Sequence, residues 1–183
     1  MEAAILRVDE FTELHPPGVE LAGPLFRLID AQRHYLRHWL EWVDGASGYD
    51  DMRKMILDAI RYRAGGQRCT FIIVFQGEVA GSVGFVRIDR SHRKAELGYW
   101  LSRNLQGRGI VTRCCRRLID YAFNELMLNR IIIRAPKQNF PSQGVPRRLG
   151  FCHEGTLRQD NQLRGSFYDI ELYSLLRKDL ALQ

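Results

Sequence analysis

The chain has 183 residues, 45% of them hydrophobic and 26% charged, with a formal net charge of +6 and an isoelectric point near 9.4. That profile suits one globular domain with a self-sufficient core, and it excludes a disordered, fibrous or disulfide-framed chain. The positive excess gathers at Arg113, Arg116 and Arg117 and again at Arg147 and Arg148. It fits either solvated faces or attraction to an anion, whether a phosphate-bearing cofactor, RNA or an acidic peptide.

The opening residues carry an early acid and no long apolar core, which predicts no signal peptide. No apolar run approaches the roughly 20 residues that span a bilayer, so the expected setting is the cytoplasm. "FTELH" reads as a strand ended by Pro16 and Pro17. "VELAGPLFRLIDAQ" places Leu21, Leu25, Leu28 and Ile29 at helical spacing, with Pro24 tolerable only near its first turn. "HYLRHWLEWV" is short, aromatic and apolar on most sides. In "YDDMRKMILDAIRYRAGG", Asp50 and Asp51 suit a helix N-terminus. Met52, Met55, Ile56, Ala59 and Ile60 form a stripe, and Gly65 and Gly66 stop it.

The pattern then turns to strands. "CTFIIVFQGEVAGSVGFVRID" is a hairpin around Gln76 and Gly77, and "AELGYWL" is a third strand after the polar "RSHRK". "IVTRCCRRLIDYAFNELML" is strongly helical. Ile110, Cys114, Leu118, Ala122 and Leu126 form one row, and Val111, Cys115, Ile119 and Phe123 form the next. "NRIIIRA" reads as a strand covered on both faces. "NFPSQGVPRRLGF" reads as a loop and short helix ending at Gly150, which Pro146 weakens unless it sits near the first turn. "FCHEGTLRQD" and "SFYDIELYSLL" are two last strands joined by the polar loop "NQLRG". Strands alternating with helices in the second half predict one mixed α/β domain. The four cysteines, Cys69, Cys114, Cys115 and Cys152, contain no C-x-x-C, so reduced thiols and no metal site are expected. His15, His34, His38, His92 and His153 show no ligand spacing either.

The stretch with the most chemistry is "NLQGRGIVTRCC". A helix that begins after "QGRG" leaves its first N–H groups unpaired, and with the helix dipole these attract an anion. Gly107 and Gly109 clear side chains from that mouth and can adopt positive φ, so that successive N–H groups converge. No lysine follows in Walker fashion, and residue 112 is Thr where a dinucleotide fingerprint needs a third glycine. On these residues alone a phosphate cradle and an ordinary loop both stand.

Taken together, "AELGYWLSRNLQGRGIVTRCCRRLIDYAFNELMLNRIII" and "QNFPSQGVPRRLGF" resemble the GNAT acetyltransferase superfamily, and within it the RimJ/RimL-type ribosomal-protein N-acetyltransferases. "YLRHWLEWVD" and "RGSFYDIELYSLL" resemble the ends of that group, so the resemblance covers nearly the whole chain. It implies a single domain over residues 1–183 with an α/β (α+β) fold: a mixed central sheet of about six to seven strands, a splayed strand pair and flanking helices. It implies acetyl-CoA as acetyl donor. The pyrophosphate would lie on Gln106, Gly107, Arg108, Gly109, Ile110, Val111 and Thr112, the pantetheine beside Tyr99, Trp100 and Leu101, and the cofactor arm near Asn139.

The same resemblance bears on the chemistry. The amine attacks the thioester directly, so a base, an oxyanion donor and an acid toward the thiolate are needed. The tyrosine that many family members use as acid is replaced here by Pro146; the resemblance to the RimL group, which places a serine at the position of Ser142, makes Ser142 the candidate acid. The carboxylate proposed as base in the RimL type falls on Asn161, so Asp160 beside it and Glu96 in "AELGYW" are the candidate bases. Each has a structural alternative: Ser142 as helix N-cap, Glu96 in a cross-strand ion pair, Asp160 as a solvated loop acid. Asp169 is expected to fix the final loop or its partner strand, and Tyr35, Trp39 and Trp42 to be core or dimer contacts. The expected acceptor is a protein N-terminal amine, that of a ribosomal protein above all. A small amine (a polyamine, antibiotic or aminoacyl nucleotide) is the alternative. A non-catalytic RNA-binding module is the alternative from another class. A homodimer is expected, with no membrane or direct DNA contact.

Overall fold

The computed structural model describes residues 4–182. Eight strands form one sheet in the order β1-β2-β3-β4-β5-β6-β8-β7: β1 Leu6–Arg7, β2 Thr12–His15, β3 Cys69–Phe75, β4 Glu78–Asp89, β5 Lys94–Leu101, β6 Arg130–Pro136, β7 Cys152–Leu163 and β8 Ser166–Leu176. Five α-helices flank it: α1 Ala22–Ala31, α2 Arg33–Leu36, α3 Tyr49–Ala64, α4 Ile110–Asn124 and α5 Phe140–Arg148. The strand count exceeds the expected six to seven because the short β1 adds an edge against β2. Its two residues carry no alternation long enough to read from sequence.

The sheet separates two cores. Phe71, Ile73, Val83, Phe85, Leu97 and Ile131 pack against α4, whose Cys114 and Cys115 are fully buried. The other face carries Ile72 and Trp100 against α1 and α3, through Leu25, Ile29, Met52 and Ile56. Alternation along β3 and β5 therefore sends odd-numbered residues to α4 and even-numbered ones to α1 and α3. The β3–β4 hairpin turns at Gln76 and Gly77, both at positive φ (52° and 81°), as a two-residue hairpin requires.

Several boundaries differ from expectation for physical reasons. The 19–32 helix begins as a 3-10 turn, Val19–Leu21, so that Pro24 falls in the first turn of α1. The aromatic 34–43 segment divides into α2 and a 3-10 turn, Glu41–Gly45. Helix α4 stops at Asn124, before Leu126. The loop expected at "NQLRG" is mostly strand: β7 runs through Leu163, and the chain turns at Arg164 and Gly165 with φ of 48° and 79°. Strand β6 is not covered on both faces, since Ile131, Ile133 and Ala135 are buried while Arg134 is exposed. Pro146 lies inside α5 rather than in its first turn.

The feature that makes a site is the seam between β5 and β6. These strands are parallel and pair only at Lys94↔Arg130, Ala95↔Ile131 and Glu96↔Ile132. Beyond Glu96 they diverge, which leaves residues 97–101 without a partner on that side while β6 stays paired to β8 as far as Pro136. A β-bulge at Val86, where the register shifts between Phe85 and Arg87, bends β4 under this point.

Candidate active site

The splay opens into a cleft of about 650 Å³. Glu96, Tyr99 and Trp100 of β5 line it beside Arg134 of β6, Asn139 and Ser142 of α5, and Asp160 and Asn161 of β7. Trp39, Trp42, Met52, Met55 and Ile56 from the helical layer close the other wall. The α3 stripe that reads as core thus serves both purposes: Met52 and Ile56 are buried, yet they also face the cleft. Trp39 and Trp42 are cleft walls as well as packing residues, with Trp42 tilted 6.0 Å from Trp100. The available signal was an apolar 34–43 segment richer than one packed face needs.

At the end of β5 the chain makes a 3-10 turn, Arg103–Leu105, and then the glycine loop. Gly107 and Gly109 sit at φ of 74° and 72°, and Gly109 is the left-handed N-cap of α4 with no side-chain cap. A Cβ on Gly107 meets nothing within 4 Å, so backbone conformation rather than space demands glycine there. The first helical bond is Arg113 N–H to the Gly109 carbonyl, 3.0 Å. Among the described residues the N–H groups of 107–112 have no backbone acceptor. Six consecutive unpaired donors at a helix N-terminus present the groups to which an anion is drawn. Arg108 is exposed and its carbonyl accepts from Arg113, which is itself bound to Asp9 at 2.6 Å. The cradle's charge is therefore chiefly that of the backbone.

Residues remote in sequence hold this turn, and sequence reasoning missed their role. Gln32, at the α1–α2 junction, donates to the Ser102 hydroxyl (2.7 Å) and accepts from the Arg103 N–H (2.8 Å). Tyr35 accepts a bond from the Gln106 side chain through its hydroxyl. Both contacts span about seventy positions, and nothing local marks either end.

Helix α5 carries Ser142, but the N-cap is Asn139, whose side chain accepts the Ser142 N–H at 3.3 Å. The alternative reading of Ser142 as the cap is thereby corrected. Pro146 has no N–H, so the Ser142 carbonyl four residues earlier lacks its helical donor. The Tyr99 hydroxyl takes that place at 2.8 Å, and the Ser142 hydroxyl donates back to Tyr99 at 3.4 Å. Burial pushes the Tyr99 phenol well above its usual range, so it stays a neutral donor. The side chain assigned to the cofactor strand thus orients Ser142, while Trp100 points to the opposite face.

The two candidate bases differ in their surroundings. Glu96 makes no hydrogen bond or ion pair among the described residues, despite standing opposite Arg87. Asp160 is held by Arg134 in an ion pair. A bulge brings Asp160 inward, since the β7–β8 register shifts between Leu157 and Asn161. Asp169 pins that bulge by accepting the Gln159 N–H at 3.0 Å, which bears out its expected role. Among the described residues no group of His, Cys, Asp and Glu could hold a metal, and no helix is long and apolar enough to cross a membrane.

Comparison with known proteins agrees with this geometry. Residues 12–152 match the acetyltransferase (GNAT) domain family. YdaF of Bacillus subtilis (strain 168), a putative ribosomal N-acetyltransferase, is 36% identical over 159 residues, covering 86% of this chain and 87% of that protein. The ribosomal-protein-serine acetyltransferase of Escherichia coli (strain K12) is 31% identical over 169 residues, 92% of this chain and 94% of the relative. The solved structure of RimL, a ribosomal L7/L12 alpha-N-protein acetyltransferase in complex with coenzyme A, superposes with a TM-score of 0.91 at 26% identity, over 94% of this chain and 98% of that one. The N-acetyltransferase expectation is therefore met, and the non-catalytic RNA-binding alternative falls away: the chain belongs to the GNAT acetyltransferase domain family.

Proposed function

We propose that this acetyltransferase uses acetyl-CoA to acetylate the α-amine of a protein N-terminus, of the ribosomal-protein Ser/Ala type. One observation carries the donor half: the unpaired N–H run of 107–112 opens beside the unpaired edge of β5. The likeness to ribosomal-protein acetyltransferases supports the acceptor half. In this reading the backbone of 107–112 holds the pyrophosphate, with the side chains of Gln106 and Arg108 beside it. The free edge at Tyr99, Trp100 and Leu101 pairs with the pantetheine arm, and the Asn139 amide borders it. A single domain over residues 1–183, a cytoplasmic setting and a homodimer belong to the same proposal.

The reaction forms an N–C bond and breaks an S–C bond. An α-ammonium must first lose a proton, and its ordinary pKa is about 7.7–8.0. Glu96, unpaired in the cleft, takes that proton. Asp160 is the less supported choice because Arg134 already engages it. As the S–C bond breaks, Ser142, its carbonyl held by Tyr99, passes a proton to the departing sulfur and takes up the second proton that the acceptor nitrogen sheds. A panel of peptides with Ser, Ala and other N-termini, plus small amines, tests the proposal by mass gain of one acetyl group. Acetylation of the amines alone sinks the acceptor assignment. Glu96→Gln should slow transfer most at neutral pH and least above about pH 9, where the amine is already neutral. An unchanged pH profile removes Glu96 from the mechanism.

A further inference from the structure

The charges on the acceptor side of the cleft bear on the residues behind the acceptor amine. Among the described residues only four charged side chains line the cleft, two acids and two bases: Arg68, Glu96, Arg134 and Asp160. Arg134 and Asp160 neutralise each other. Glu96 and Arg68 remain, and among the described residues neither forms an ion pair. Their relative placement comes from register. Thr70, Gly84 and Gly98 share one row of the sheet, and Ile72, Ser82 and Trp100 share another. One step earlier in the same rows, Arg68 stands level with Glu96, with bulged β4 between them. The backbone contact from Ile88 N–H to the Gln67 carbonyl, 2.9 Å, carries this row past the start of β3.

Two strand spacings separate the pair, about 10 Å. Val86 of β4 lies between them and lines the cleft, and the next row of the floor is glycine, Gly84 and Gly98. Each has its Cβ position blocked, by the Cys69 carbonyl at 2.4 Å for Gly84 and by Val86 at 2.9 Å for Gly98. An extended peptide advances about 3.4 Å per residue. A chain whose amine sits at Glu96 therefore brings its third or fourth residue to Arg68. Arg87, opposite Glu96 on β4, also makes no ion pair among the described residues. Arg68 packs on the Tyr62 ring at 4.6 Å, which limits its reach to one side of the opening.

We infer that the acceptor cleft selects an N-terminal segment with an acidic side chain at its third or fourth residue, read by Arg68, and rejects polyamines and lysine-rich N-termini. This rests on the reading of the chain as a protein N-terminal acetyltransferase. The single unpaired carboxylate meets one amine, and a second positive charge at this spacing meets a guanidinium instead of a partner.

The test uses the full chain and three peptides that begin Ser-Ala and differ only at positions three and four: Asp-Asp, Asn-Asn or Lys-Lys. Spermidine is the fourth acceptor. One readout is acetyl mass gain. The other is quenching of tryptophan fluorescence from Trp39, Trp42 and Trp100 in the cleft, which reports binding without turnover. The acidic peptide should bind and react about fivefold better than the neutral one, the size of a screened ion pair, and the lysine peptide and spermidine should be worst. Arg68→Gln should level that preference, Arg68→Glu should invert it, and high salt should erase it. Equal binding of the three peptides, absence of binding, or a preference that survives Arg68→Glu overturns the inference. If fluorescence ranks the peptides but none gains an acetyl group, the transfer reading falls and only the recognition of the acidic segment by Arg68 stands. Equal acetylation of all three with no ranking does the reverse, and spermidine preferred over every peptide overturns both.

Discussion

Pairing Tyr99→Phe with Pro146→Ala tests how α5 is joined to the cleft. The Ser142 carbonyl has no helical donor, because Pro146 lacks an N–H, and the Tyr99 hydroxyl supplies the bond at 2.8 Å. Tyr99→Phe alone leaves a half-buried carbonyl without its donor, which should cost about 1.5 kcal/mol. Pro146→Ala gives the helix its N–H back and removes a penalty of about 3 kcal/mol for an interior proline, against the packing lost from a buried ring. In the Pro146→Ala background the carbonyl has an alternative donor, so Tyr99→Phe should cost under about 0.5 kcal/mol there. Urea unfolding of the four proteins should give a coupling of about 1 kcal/mol or more. Additivity within about 0.3 kcal/mol would refute the substitution of Tyr99 for the missing amide. Acetyl transfer adds a second readout: kcat should fall in Tyr99→Phe and recover in part in the double variant.

Gly107→Ala should raise the KM for acetyl-CoA several-fold while costing only about 1–2 kcal/mol of stability, because the added methyl meets no atom but the residue must stay at φ 74°; an unchanged KM would detach the loop from the donor. Iodoacetamide on the native protein should add one label, at exposed Cys152, and four after unfolding. Burial pushes the Cys114 thiol up to about 12 and that of Cys115 well above its ordinary value, so fast labelling of either contradicts the packing of α4. The bonds from Arg130 and Ser174 lower the Glu154 carboxyl to about 2, so its contribution is whole above pH 4.5 and lost as pH falls toward 2. Glu154→Gln should flatten that acid limb in urea titrations; because the pair is about a third exposed, solvent screening keeps the effect small.

Local chemistry was legible and long-range assembly was not. The two rows of α4, the Gln76 and Gly77 turn and the glycine loop each depend on residues within a few positions, and each is found where its pattern places it, save that α4 ends before Leu126. The seam between β5 and β6 depends on pairing that stops after three residues, and no residue in either strand announces where it stops. Arg134 breaks the apolar pattern of "NRIIIRA", a visible sign that one face of β6 opens to the cleft. Pro146 reads as a weak point of its helix, but its consequence lies in Tyr99, 47 positions away, and only the fold connects them. The clamp of Gln32 on Ser102 and Arg103 is of the same kind.

The 107–112 backbone, proposed as the site that grips the donor's phosphates, is open to a direct measurement. A thermal-shift titration compares acetyl-CoA with acetyl-pantetheine, which has the thioester arm and no pyrophosphate. At a hundredfold excess over its Kd, acetyl-CoA should stabilise the protein by about 2.7 kcal/mol, and acetyl-pantetheine at the same concentration should give little or no shift. Equal shifts from the two ligands, or none from acetyl-CoA, would contradict the assignment of the phosphates to this backbone.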